Sequence, residues 1–392
     1  MISKENKEKL KRKNNIWIHA VSVGEFMLAA TLIEKLRPHC RDYQFVVTVT
    51  TLTGHEVAQN KLLPEDVLLS FPTEFLPVMN YVVNIVKPKL AIVVETEIWP
   101  NFVYSLAQRK VPLLLVNGRI SKKSFSRYSL VKPFMRDLFK HFAKFNMQTK
   151  RDAECINKLG APIEKIKVAG NIKFDSAKIV DCNRPNASLQ NEIGLPYGTP
   201  IFLAAALEKT GREDPVAIDV FEKLKEEFPD AALIIVPRHP ERGADIANLV
   251  KSRGYESRQR SLNEKFDNPE NQIFIVDTVG ELAQFYTLAK VVFVGKSIFP
   301  PGGGQNMIEP VGLGLPVIYG KYTSNFRGIA DVLAENGGAK IVADENELAD
   351  TVIDLWQNAR HAKEMIKKGQ EYIRSQQGAI QENINSVLEF LM

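Results

Sequence analysis

Two doubly wound α/β domains, each built on a parallel sheet, are predicted by three features of this chain. First, short apolar runs alternate with helix-like stretches. They are Ile16–Ala20, Phe45–Thr50, Leu90–Val94 and Leu113–Val116, then Ile201–Ala205, Leu233–Val236, Ile273–Val276, Val291–Val294 and Pro316–Tyr319. Such alternation means βαβ units. Second, the runs are apolar at consecutive positions, as in strands covered on both faces. Third, they fall into two groups around a polar, weakly periodic segment, Ser176 to Gly198, which reads as a linker. A length of 392 residues is enough for two cores. The expected boundaries are 1–180 for an N-terminal domain, 190–372 for a C-terminal domain, and 373–392 for a last helix. Two such domains facing a central cleft would hold ligands at the carboxyl ends of their strands.

Each strand of the first group leads into a chemically distinctive turn. Ile16–Ala20 runs into VSVGE, where Ser22 and Gly24 break the strand and Glu25 opens the helix FMLAATLIEKL. A glutamate there is either a general base on an acceptor hydroxyl or a charge complementing the helix dipole. Leu90–Val94 ends in ETEIWPNF; Glu95 faces the cleft or braces its floor, and a period of two puts Glu97 on a similar side. Leu113–Val116 leads to NGRISKKSFSRY, where Arg119, Lys122, Lys123 and Arg127 alternate with Phe125 and Tyr128. Cations among apolar neighbours suit a phosphorylated amphiphile at a membrane surface, or form a solvated helix face.

In the second group, PRHPER sets Arg238 directly after a strand, where it is placed to meet a phosphate or donor carboxylate. VDTVGEL brings Gly280, Glu281 and Leu282 to a helix start after the strand IFIVD. The run Phe293 to Pro316, FVGKSIFPPGGGQNMIEPVGLGLP, is the most informative stretch. Its strand, its glycines (Gly302, Gly303, Gly304) and a helix expected to open near Gln305 or Asn306 together predict an anion site of free backbone N–H groups. Glu309, in the first turns, suits ribose hydroxyls. Neither GxxxxGK[ST] nor a strand-linked GxGxxG is present, which argues against an ATPase and against a nicotinamide dehydrogenase. The last stretch, from about Asn346, reads as helical and amphipathic.

Composition narrows the class further. A hydrophobic share of 45% with 25% charged residues is ordinary for a soluble fold. A net charge of +5, from 51 Lys and Arg against 46 Asp and Glu, does not point to nucleic acid. Cys40, Cys155 and Cys182 are scattered and odd in number, so no disulfide framework is expected and a reducing cytoplasm is the simplest compartment. The six histidines form no HxxH or HxxxH pair and no CxxC occurs, so neither metal nor cofactor is expected. No run reaches the length of a membrane span. The start, MISKENKEKLKRKNN, is polar and basic; it reads as a solvated tail or as a segment drawn to an anionic leaflet.

Taken in order, WIHAVSVGE, ETEIWPNF, NGRIS, GNIKFD (Gly170–Asp175), PRHPER, DTVGEL and GGGQNMIEP resemble the 3-deoxy-D-manno-octulosonic acid (Kdo) transferases, from about Ile16 to Phe326. The resemblance implies a GT-B fold with the acceptor domain first, the donor domain second, and a last helix crossing back to the first. It implies inverting transfer of Kdo from CMP-Kdo to a tetra-acylated lipid A precursor (lipid IVA), in lipopolysaccharide inner-core biosynthesis. It makes Glu25 the general base, and Arg238, Gly280, Glu281, Leu282, Asn306 and Glu309 donor ligands, with Gly303 and Gly304 in the same loop. Glu95, Arg119, Lys122, Lys123 and Arg127 are the expected acceptor contacts. The expected location is the cytoplasmic face of the inner membrane, held peripherally on its anionic surface.

The chain departs from the family pattern in three places. Gln305 stands where a histidine is usual. AAALEKTGRED (Ala204–Asp214) replaces a GSTHxGE-like motif, and no apolar N-terminal anchor is seen. Three alternatives stay open: a divergent GT-B transferase using another CMP-linked acidic sugar, a GT-B nucleotide-sugar epimerase, and a silent binding protein.

Overall fold

The computed structural model describes residues 2–180 and 186–391. The chain divides into two compact units, Met1–Asp175 with Gln376–Met392, and Ser176–Ser375. The first unit holds strands β1 (Asn14–Ala20), β2 (Tyr43–Val49), β3 (Val67–Ser70), β4 (Pro88–Val94), β5 (Leu113–Gly118), β6 (Lys144–Met147) and β7 (Ile166–Val168). They form one parallel sheet in the order β3-β2-β1-β4-β5-β6-β7. The second unit holds β8 (Ile201–Leu207), β9 (Ala232–Pro237), β10 (Glu256–Gln259), β11 (Gln272–Ile275), β12 (Val291–Val294), β13 (Val317–Gly320) and β14 (Lys340–Val342). Its parallel order is β10-β11-β9-β8-β12-β13-β14.

All nine apolar runs are strands, with ends shifted by up to a few residues. Five further strands, β3, β6, β7, β10 and β14, lie away from the sheet centres. They are three or four residues long and carry charged or polar residues, as in Glu256-Ser257-Arg258-Gln259. Such strands bury too little apolar surface to leave a run in the sequence. In the first unit the central strands send alternate residues to two cores. Trp17, Val46, Ala91, Val93 and Leu115 enter one; Ile16, Ile18, Val47, Ile92 and Val116 enter the other. Trp17 is wholly buried, and its indole N–H donates to Thr48 Oγ1 at 2.9 Å, so its polar tip is satisfied inside the core.

The basic N-terminus is not a free tail. Ser3 caps a helix over Lys4–Lys9, Leu10 is buried, and Asn15 Nδ2 donates to the Leu10 carbonyl at 3.1 Å. The expected linker is also partly structured: residues 187–192 form a helix, and Leu189, Ile193 and Leu195 bury against the second unit. Residues 181–185 of that segment, with Cys182, lie outside the described residues. Cys40, buried, and Cys155 are free thiols. The C-terminal stretch forms the helices Glu345–Gln357, Ala359–Gln376 and Ala379–Leu388. The last packs on the helix Val23–Leu36 and on β5 within the first unit. The Asp175 carboxylate accepts from the N–H groups of Gly378 (2.6 Å) and Ile380 (2.8 Å), fixing the entry of that helix. Among the described residues, no helix is long and apolar enough to cross a membrane.

Candidate active site

In a doubly wound sheet, ligands bind where the strand order reverses, because the two flanking loops splay apart there. In the first unit that point lies between β1 and β4, and in the second between β8 and β12. The loops the sequence singles out most strongly, VSVGE and ETEIWPNF, leave β1 and β4 side by side. KSIFPPGGGQN leaves β12 next to the end of β8.

In the first unit, Ser22 caps the helix Val23–Leu36 and Glu25 folds back over it. Glu25 Oε2 accepts from the Val21 N–H at 2.7 Å, and Oε1 accepts from the Ser22 hydroxyl at 3.0 Å. This is a capping-box arrangement. It does not exhaust the carboxylate, whose two oxygens offer about four acceptor positions. Burial raises the pKa of Glu25; the Val21 and Ser22 bonds oppose the rise, the Glu95 charge adds to it and Arg119 opposes it. Glu25 is thus a held carboxylate that gains from meeting a proton.

The chain leaves β4 after Val94, and Glu95 takes a left-handed φ of 57°. The period-two expectation for Glu95 and Glu97 therefore fails, because alternation needs extended backbone. The two residues reach the same region by the turn instead. Glu95 is buried and pairs with Arg119 Nε at 2.9 Å, with Lys173 Nζ at 4.0 Å from its other oxygen. Burial, then the charges of Glu25 and Glu95, push Glu97 up to about 7. Tyr128 lies close enough for the Glu97 charge to add to the rise that burial causes in its phenol. Three carboxylates and two cations thus meet at the switch point. The Arg119 N–H also donates to Thr96 Oγ1 at 3.0 Å, tying the β5 loop to the β4 loop.

Lys173 is the member that residue-by-residue reading missed. Its motif, GNIKFD, carries no obvious chemistry. The N–H of Ile172 donates to Asn117 Oδ1 at 3.0 Å, which anchors the segment beside the β5 loop. Lys122, Lys123 and Arg127 do not join the cluster. They lie on the exposed face of the helix Lys122–Leu130 and contact none of the carboxylates among the described residues.

Glu97 gives a pH-dependent prediction. Its folded pKa stands above its ordinary 4.5. The native chain therefore holds an extra proton between those values, and the group's contribution to stability falls as pH rises through about 7. Glu97→Gln is expected to stabilise the protein at pH 8 by roughly 1–2 kcal/mol, after discounting for partial exposure, and hardly at all near pH 4.5. Urea melts at both pH values check this; equal differences would contradict it.

In the second unit Glu213 organises the site. Its fully buried carboxylate accepts from the N–H groups of Lys296 (2.5 Å), Ser297 (2.8 Å), Ile298 (3.2 Å) and Glu208 (3.1 Å). A Cβ on Gly295 would stand 2.8 Å from this carboxylate and from Leu207 Cα, so the loop after β12 needs glycine there. Burial raises the Glu213 pKa against the pull of all four donors. Arg242 is a brace: it donates to the Glu208 carbonyl at 2.8 Å and pairs with the buried Asp214. Arg238 is exposed, with no ion pair among the described residues, so its guanidinium stands available at the end of β9.

The glycine loop differs from expectation. The helix opens at Ile308, not near Gln305, and runs only to Gly312. The N–H of Gly303 donates to the Tyr322 carbonyl and that of Gly304 to the Lys296 carbonyl, each at 2.8 Å. Those two amides are therefore taken. The glycines are required because a Cβ on Gly302 would stand 2.3 Å from Tyr322 Cβ, and Gly303 has φ of 129°. They seat the loop on residues 322–325 and leave the amides of Gln305, Asn306 and Met307 without a backbone acceptor among the described residues. Asn306 Oδ1 accepts from the Ile308 N–H at 3.1 Å, and burial raises the half-buried Glu309. Glu281 is held by Arg260 (2.8 Å) and Thr278, which keep its pKa low; Gly280 has φ of 89°, and Leu282 starts a helix ending at Tyr286. The Arg238, Gly280–Leu282 and glycine-loop segments leave β9, β11 and β12, with β8 between β9 and β12 on the same sheet edge.

Two doubly wound parallel sheets in one chain, with a carboxylate cluster at one switch point and a glycine loop at the other, define the GT-B fold of glycosyltransferases and nucleotide-sugar epimerases. Solved structures share this fold: a glycosyltransferase from Rickettsia africae (TM-score 0.62, 13% identity, 97% of this chain and 99% of that one) and a UDP-GlcNAc 2-epimerase from Neisseria meningitidis (TM-score 0.61, 14% identity, 96% and 99%). Residues 2–176 match the family described as 3-Deoxy-D-manno-octulosonic-acid transferase (kdotransferase), and residues 201–372 match glycosyl transferases group 1. The 3-deoxy-D-manno-octulosonic acid transferase of Haemophilus influenzae is 30% identical over 96% of this chain and 87% of its own length. The chain belongs to the Kdo transferase family.

Proposed function

We propose that the chain transfers Kdo from CMP-Kdo to a lipid A precursor, lipid IVA, with inversion at the anomeric carbon, at the cytoplasmic face of the inner membrane. The observation that carries this reading is Glu25, a half-buried carboxylate with raised pKa, held by Val21 and Ser22 at the β1/β4 switch point. Glu25 takes the proton from a glucosamine hydroxyl of the acceptor as that oxygen bonds to the anomeric carbon. The bond from that carbon to the CMP phosphate breaks, and CMP leaves with the electron pair. Arg238 receives the charge on the phosphate, and the loop that carries Gly303, Gly304, Asn306 and Glu309 holds the nucleotide with Gly280, Glu281 and Leu282. Glu281 acts through its fixed pair with Arg260. Arg119 and Lys173 neutralise Glu95, and the Arg119 charge favours the ionised form of Glu25, while Lys122, Lys123 and Arg127 reach acceptor phosphates from their exposed helix.

The test is incubation of the purified chain with CMP-Kdo and lipid IVA, following the lipid by mass spectrometry. A gain of one or more Kdo units is expected. No gain with CMP-Kdo, but a product with another CMP-linked acidic sugar, would replace the donor and point to Ala204–Asp214 as the cause.

A further inference from the structure

Lys296 stands at the β8/β12 switch point, and its ammonium takes no part in holding the fold there. It is the second residue after β12, and its φ of 58° lies in the left-handed region. Glycine is the residue that adopts this backbone at least cost, so a lysine kept there has a use for its side chain. The backbone of Lys296 is fixed on both sides. Its N–H donates to Glu213 Oε2 at 2.5 Å, and its carbonyl accepts from Gly304 at 2.8 Å. Glu213 Oε2 also accepts from the Glu208 N–H at 3.1 Å, so the loops after β8 and β12 start from one anchor.

The side chain is half-buried and runs along the glycine loop. Its Cε lies 3.6 Å from the place that a Cβ on Gly303 would take. The backbone N–H is bonded, but the ammonium has neither an ion pair nor a hydrogen bond among the described residues. The arginines beside it are committed. Arg212 donates to the Glu208 carboxylate at 2.9 and 3.2 Å and to the Pro300 carbonyl at 2.9 Å, with its guanidinium over the Phe299 ring. Arg242 pairs with Asp214. Lys209, the lysine of the β8 loop, is exposed and near enough to Glu241 for its charge to act on that carboxylate.

We propose that Lys296 binds a negatively charged group of the donor, an inference that rests on the reading of that donor as CMP-Kdo. The phosphate and the sugar carboxylate offer the same chemistry: anionic oxygens for a charge-assisted hydrogen bond. A lysine ammonium is a compact charge on a flexible stem and suits either group. Gln305 and the Ala204–Asp214 stretch leave both loops without the histidines of the family pattern. Lys296 supplies a permanent cation between those loops, where the charge of an imidazole is missing.

Equilibrium binding of CMP, CMP-Kdo and cytidine to the full chain, by calorimetry and without acceptor, tests this. Lys296→Met and Lys296→Gly are expected to weaken donor binding about ten- to a hundredfold, the effect of losing one charged hydrogen bond. Equal losses for CMP and CMP-Kdo assign Lys296 to the phosphate; a loss for CMP-Kdo alone assigns it to the carboxylate. Cytidine carries neither group, and its binding stays within about twofold of wild type. Lys296→Arg keeps most of the affinity. Lys251→Met, at an exposed position of the helix Gly243–Ser252, keeps all of it. Glycine suits the left-handed backbone, so Lys296→Gly melts no lower than wild type and its lost affinity is not lost folding. CMP and CMP-Kdo binding that neither Lys296→Met nor Lys296→Gly weakens overturns the proposal. So does an equal loss for cytidine, or a loss in Lys296→Arg as large as in Lys296→Met, because the side chain then shapes the loop rather than meeting a charge. A transfer assay separates the two readings. A wild-type chain that binds CMP but moves no Kdo to lipid IVA sinks the functional reading and leaves the CMP arm to decide Lys296. A wild-type chain that binds neither nucleotide sinks both.

Discussion

Glu25→Gln is expected to lower kcat on the order of a thousandfold with donor affinity unchanged, the size of effect a lost general base produces. The substitution separates the proposed base role from the helix cap that Glu25 forms with Val21 and Ser22. A glutamine oxygen can still accept from the Val21 N–H, and its amide can donate to the Ser22 hydroxyl, which turns to accept. The helix start therefore survives, and stability at pH 7 changes little. Removing the charge also relieves Glu97, whose pKa Glu25 helps to raise. Glu25→Ala is different: it loses the cap as well, at a further cost of about 1 kcal/mol. Steady-state kinetics with a donor-binding titration decides the matter. Wild-type turnover by Glu25→Gln would leave Glu25 as a helix cap and nothing more.

Glu213→Ala is expected to be the most damaging single change to the fold, at roughly 3–5 kcal/mol. Four backbone N–H groups, from Glu208, Lys296, Ser297 and Ile298, lose their acceptor together in a place with no other partner. The β12 loop then loses its anchor, and with it the path into Gly302–Gly304. Glu213→Gln keeps the shape but turns one acceptor into a donor facing donors, so it falls between wild type and alanine. Denaturant melts of both variants, with CMP binding measured on whatever remains folded, check the order. If alanine costs less than 1 kcal/mol, the loop must be held by other contacts.

The most legible parts of the chain were its buried strands. Runs such as Ile201–Ala205 and Val291–Val294 bury both faces, so every position is apolar and the run stands out. The short outer strands, such as β7 and β10, carry lysine, arginine or glutamate and look like loops. VSVGE was legible as a strand-to-helix turn because Ser22 and Gly24 break the apolar run and Glu25 opens a helix, and the structure uses the Ser22 and Glu25 side chains to cap that helix. The glycine loop was legible as a loop but not in its wiring. Glycine identity says that the backbone takes unusual φ or packs closely. It does not say which carbonyl each N–H will meet, and those of Gly303 and Gly304 meet Tyr322 and Lys296 respectively. Glu213 gave no warning at all, because a glutamate at a helix start usually faces water.

By itself the sequence determined two parallel α/β sheets, their central strands and the motifs of the Kdo transferase family. Those depend on local patterns: runs of apolar residues, breaks of glycine and proline, and short spacings along one turn. Only the tertiary structure decided which charges meet. Glu95 and Lys173 lie far apart in the chain, and Glu95 joins Arg119 through a left-handed turn rather than strand alternation. Glu213 became an acceptor for a loop more than eighty residues away. The physical reason is the same in each case. A charge is worth little until its surroundings set its solvation and its partners, and those come from strands that the fold, not the chain order, makes neighbours.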